Sequence, residues 1–141
     1  MRIGAILRIT PLDGEAWDVA VGKAGWARTP NPHAIAVLSD GHGLVLDVVE
    51  RTVLVDVEPV VRITEDELHD LVYLVGFSAI SAVGHDGIAW STGRLALDDL
   101  KVVRIEPERI VCSGSFGEPL PSEVVVDPRD GTRISGPDLP F

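Results

Sequence analysis

Two stretches place a histidine beside an aspartate in a glycine-bracketed turn: Ser-Asp-Gly-His-Gly at 39–43 and Gly-His-Asp-Gly at 84–87. Imidazole and carboxylate brought together can ligate a metal ion or exchange a proton. His42, His85 and Asp86 are therefore the candidate metal or acid–base residues. That chemistry needs the two turns to converge. The alternative is plain: His and Asp tolerate the unusual φ values of turns and are common there for that reason alone. His33 and His69 have no partner in zinc-finger or His-Glu-x-x-His spacing.

Just beyond the second turn stand Trp90 and Arg94. A guanidinium over an indole could bracket a ligand at the surface. Strand alternation counted from Ile88 puts Ile88 and Trp90 on one face, where both would fill a core. Arg94 then sits at the rim, within reach of Asp98 or Asp99. The lone cysteine, Cys112, lies in an apolar–polar alternation and reads as a small core residue. Ser115 lacks a nucleophile elbow and reads as part of a loop. No glycine-rich phosphate loop is present in the sequence. The carboxylates at 65–70 read as a solvated face, and Asp98 and Asp99 point to opposite sides if their segment is extended.

The elements that must position these residues are strands. Val and Ile dominate the apolar positions, and Asp-Gly recurs at 13–14, 40–41, 86–87 and 130–131 between short apolar runs. Asp-Gly fits tight hairpins because both residues accept positive φ. The expected strands are 3–9, 16–21, 34–38, 44–49, 52–57, 71–76, 79–83, 88–91, 100–105, 109–113, 124–127 and 132–135. The stretch 23–33 reads as a Gly- and Pro-rich loop. Thr64 and Glu67 have capping-box spacing, so one or two helical turns near 64–71 compete there with a charged loop. The expected class is all-β, an antiparallel meander, sandwich or set of blade-like sheets, in one domain over 1–141 with a loose tail at 135–141. Phe141 could dock from that tail.

The segments "ISAVGHDGIAW" and "VVVDPRDGTRISG" share a form: strand, polar turn with Asp-Gly, strand. Their Asp-Gly pairs stand 44 residues apart, near the length of a four-stranded propeller blade. Both segments resemble the closing strands of pyrroloquinoline-quinone-type β-propeller blades. The resemblance implies β-meander architecture over the C-terminal half, with Ile134-Ser135 standing where such a blade carries tryptophan. A closed propeller needs about four to eight blades, whereas this length supplies about three. Blade-like sheets completed by a second chain are one outcome.

With 22 acidic and 12 basic residues, the net charge is -10. That argues against nucleic-acid binding, which needs a positive footprint on phosphate. No apolar run approaches the length needed to cross a bilayer, and the first residues do not read as a signal peptide, so the expected compartment is the cytoplasm. The expected function is that of a small acidic binding protein without catalytic activity or cofactor, taking a basic protein partner as immunity proteins and inhibitors do. Two alternatives are a metal-dependent or small-molecule-binding enzyme using the turn histidines, and a self-associating blade-like module.

Overall fold

Short runs of β-branched residues, each ended by a polar turn, pair with their sequence neighbours in the computed structural model, which describes residues 5–10, 15–21 and 25–139. A hairpin, β1 (Ala5–Ile9) with β2 (Trp17–Val21), comes first. Three four-stranded antiparallel meanders follow. The first sheet contains β3 (Trp26–Arg28), β4 (Ala34–Ser39), β5 (His42–Asp47) and β6 (Thr52–Val57). The second contains β7 (Arg62–Asp66), β8 (Leu71–Val75), β9 (Ile80–Gly84) and β10 (Gly87–Ser91). The third contains β11 (Asp98–Glu106), β12 (Arg109–Ser115), β13 (Ser122–Val126) and β14 (Arg133–Ser135). In each sheet the strands lie side by side in chain order. The all-β expectation holds. No helix among the described residues is long and apolar enough to cross a membrane.

The second sheet lies between the other two. Its strand "LVYLV" is apolar throughout because both of its faces are covered. Val72 and Leu74, with Val83, join Ala36, Leu38 and Val45 of the first sheet in one core. Tyr73 and Val75, with Ile80, Ala82 and Trp90, join Leu100, Ile110, Cys112, Val124 and Val126 of the third sheet in another. The period-two alternation of β8 thus feeds two cores from one strand. Cys112 is fully buried, as expected of a core residue, and burial pushes its thiol up to about 12.

The Asp40-Gly41 turn joins β4 to β5 with φ of +53° and +83°, the pair of positive angles a two-residue hairpin with type I′ geometry requires. The Asp13-Gly14 turn and Phe141 lie outside the described residues.

Three local expectations are corrected. The stretch read as a loop at 23–33 contains the edge strand β3, which pairs Trp26 with Val37 and Arg28 with Ile35. No helical turn forms from the capping-box spacing: Thr64 lies in β7 opposite Tyr73, and 67–70 is the turn into β8. Cross-strand pairing of an alternating segment outweighs a weak local cap. Lastly, Ile88 and Trp90 do not share a face. The register slips between them, Ile88 facing Val83 and Trp90 facing Ala82 across β9. This bulge reverses the alternation, leaving Ile88 48% exposed while Trp90 is 8% exposed.

Candidate functional site

The meander topology decides which chemistry-bearing residues can meet. The β4–β5 turn lies at the sheet end where the first sheet passes into the second, since Val60 N donates to Gly41 O and Val61 N donates to Val75 O. The β9–β10 turn follows Val83, which pairs with Val72 at the opposite end of β8. His42 and His85 therefore sit at opposite ends of the stack and do not form a joint site. His85 Nδ1 lies 3.0 Å from Asp86 Oδ1 on a tip open to solvent. His42 Nδ1 lies 2.7 Å from Asp56 Oδ1, and its Nε2 lies 3.2 Å from Glu58 Oε2. The hydrogen bond to Asp56 raises the His42 pKa above its ordinary value; loss of solvation opposes it, and the charges of Asp56, Glu58 and Asp40 add to the rise. Among the described residues, no group of three or more His, Cys, Asp or Glu side chains is placed to hold a metal ion.

Trp90 is a core residue and not a surface contact. Its Nε1 donates to Pro128 O at 2.9 Å, and its ring lies 5.7 Å from that of Tyr73 at a 40° tilt. Arg94 is exposed on the connection between the second and third sheets. Asp99 takes up αL geometry, with φ of +52°, and lies near Arg62 at 3.8 Å and Lys101 at 4.0 Å.

A buried polar cluster was not foreseen. Asp66, expected on a solvated face, is 2% exposed. It ends β7, and the 67–70 turn folds back over it. Its Oδ1 accepts the backbone N–H of His69 at 2.9 Å, and its Oδ2 accepts from His69 Nδ1 at 2.7 Å and from the Tyr73 hydroxyl. On the far side of the ring, His69 Nε2 meets Pro107 O at 2.9 Å, in the β11–β12 turn of the third sheet. Both ring nitrogens face acceptors, so the ring donates twice when protonated. Burial works against that charge, yet the Pro107 carbonyl and the Asp66 carboxylate outweigh it, and the His69 pKa is raised. Burial, and then the bond to Asp66, push the Tyr73 hydroxyl well above its ordinary value.

This cluster is closed upon itself. The carboxylate has three donors, and no buried side-chain polar atom among the described residues lacks a partner. Its chemistry is spent on clasping the second sheet to the third. One clue was present in the sequence: a tyrosine inside an apolar run has a hydroxyl that must find a partner, and the acidic turn supplies it.

The outer rim is different. β6 and β10 are the last strands of their sheets, and their Cα atoms approach within 8 Å of one another. Val53 is 56% exposed, Leu54 49% and Ile88 48%. The exposed carboxylates of Asp56 and Glu58 lie at one end of this rim, and that of Asp86 lies at the other. An apolar strip flanked by negative charge can take a partner of opposite sign with apolar anchors. In comparisons with known proteins, no family model matches the chain, and no curated protein matches it in sequence.

Proposed function

We propose that this protein is a non-catalytic interaction module of the cytoplasm that binds a basic protein partner through the rim formed by β6 and β10, in the manner of protein inhibitors. The observation that carries the reading is the exposure of Val53, Leu54 and Ile88 on adjacent edge strands, between the carboxylates of Asp56 and Glu58 and that of Asp86. Strand edges with no hydrogen-bonded neighbour among the described residues add backbone donors and acceptors that a partner strand could take up. The net charge of -10 favours encounter with a cationic surface, most strongly at low salt.

The test is capture at low ionic strength by immobilised wild-type protein and by the triple variant Leu54→Lys, Asp56→Lys, Glu58→Lys. A defined basic protein retained by the wild type, released by salt and lost from the variant supports the reading. Equal retention by both, or retention by neither, overturns it.

A second reading rests on how the sheets stack. The first strand of the second sheet, β7, neighbours the first strands of the other two, β3 and β11, and the last strands β6 and β10 neighbour each other. This is the relation of successive blades around an axis. A ring takes about four to eight blades, so three such sheets invite completion by a second copy. Light scattering that detects only monomer at high concentration removes this reading.

A further inference from the structure

In β3, Ala27 turns inward and is 3% exposed, so period-two geometry sends Trp26 and Arg28 to the outer face of the first sheet. Ile35, directly across from Arg28, shares that face. The β1–β2 hairpin covers part of it, and Ile9 is buried there. Among the described residues, a cleft of about 480 Å³ stays open on this face, and its lining includes Arg8, Trp26, Arg28, Thr29, Asn31 and Ile35. That volume lies within the usual range of small-molecule sites, roughly 300–1,000 Å³.

The cleft's polar character is unusual for this molecule. In a chain of net charge -10, this concavity holds the guanidinium of Arg28 beside an indole that keeps 53% of its surface exposed. The wall is well fixed. Thr29 Oγ1 donates towards Asn31 O and Ala34 O, both at 3.0 Å, and accepts from Asn31 N at 3.2 Å. Pro30 and Pro32 further stiffen this turn. A pre-formed cleft loses little freedom on binding.

We infer that this cleft binds a small organic monoanion with a flat apolar body, such as an aromatic carboxylate. Arg28 takes the carboxylate, since a guanidinium presents a planar fork that matches its two oxygens. Trp26 and Ile35 take the ring. Polyanions are excluded by what lies next door. Arg28, Thr29 and Pro30 also line a smaller groove, and its other wall carries Glu65, Glu67 and Asp70. A second or third negative charge on the ligand would meet those carboxylates. The site is separate from the β6–β10 rim, so the two proposals stand or fall independently.

The experiment is titration of the full chain with 1-naphthoate, followed by calorimetry and by two-dimensional NMR of the indole and guanidinium N–H groups. Parallel titrations use neutral 1-naphthamide and inorganic phosphate. Saturable binding of one naphthoate is expected, with shifts at Trp26 and Arg28. Arg28→Gln weakens it about ten- to hundredfold, as expected for loss of a charge-assisted hydrogen bond. Arg28→Lys weakens it less, and Trp26→Ala weakens it by about fivefold. NMR dispersion of each variant verifies the fold. Absence of saturation at millimolar naphthoate overturns the proposal. So does equal binding by Arg28→Gln, or equal binding of the amide or of phosphate.

Discussion

Trp90 and Gly131 are in direct contact across two sheets. A β-carbon built on Gly131 would lie 2.5 Å from Trp90 Cε3, and the glycine holds φ at +77°. The indole N–H reaches Pro128 O in the same turn. The turn that joins β13 to β14 is thus a socket for a side chain of the second sheet, and glycine is the residue that leaves the socket open.

Gly131→Ala therefore meets both a backbone strain and a steric clash, and destabilises by about 2–4 kcal/mol. Trp90→Ala removes the ring and costs about 3–5 kcal/mol. Because the two changes act at one contact, the double variant loses clearly less than the sum. Urea unfolding of the four proteins measures this, and strictly additive losses would show that the contact does not couple the sheets.

The His69 clasp has a pH signature. Its folded pKa is raised, so protonated His69 contributes stability fully below the unfolded value of about 6.5, and the contribution is lost as pH rises through the folded value. Asp66 and Tyr73 from the second sheet and the Pro107 carbonyl from the third face the ring. Melting temperatures of wild type and His69→Gln are compared from about pH 5 to about pH 9. The gap is expected to be widest in acid and to narrow towards alkaline pH. His42 shifts the same way but is common to both proteins. A gap that does not change with pH, or widens upwards, sinks the clasp.

Asp66→Asn attacks the same cluster from its centre. It removes the ionised acceptor that holds His69 and Tyr73, and breaking a buried pair in this way costs about 3–5 kcal/mol. Chemical denaturation detects it. A loss below about 1 kcal/mol would mean that the carboxylate is not the hub of the cluster.

Cys112 is inert while the protein is folded. The thiol is fully buried, and burial pushes it up to about 12. Labelling by a thiol reagent at neutral pH then requires opening of the core between the second and third sheets. Native protein is expected to react at least about a hundredfold more slowly than protein in urea. Comparable rates would place the thiol at the surface.

The bulge at 88–90 separates two neighbours by their tolerance. Ile88→Thr lies on the exposed side of the slip and changes stability by no more than about 0.5 kcal/mol, in contrast to Trp90→Ala. Thermal melting distinguishes this from a shared face, on which both substitutions would be costly.

How much of this the chain reveals without coordinates depends on distance along it. Hairpins such as 34–47 are legible because Asp40-Gly41 and the flanking alternation are local signals. β3 is hidden because Gly and Pro around a three-residue edge strand carry the signature of a loop, and only pairing with β4 makes it a strand. β7 is hidden because charges occupy Glu65 and Asp66, and burial of Asp66 depends on Tyr73 and His69 closing over it. The bulge that separates Ile88 from Trp90 is a matter of register and leaves no mark on composition. The separation of His42 from His85 could be read only from which end of the stack each hairpin occupies.

The order of the strands also bears on how quickly the chain can organise itself. Every strand in the three meanders pairs with the one before or after it, so loop closure within a sheet spans only short segments. All-β domains usually fold slowly because their partners lie far apart in sequence. This chain escapes that cost in its hydrogen-bonded ladders and meets it only when sheets dock. The middle sheet, with cores on both of its faces, reaches its final burial only after both neighbours arrive. Its β8 amides should therefore be the last to exchange with solvent in the native state.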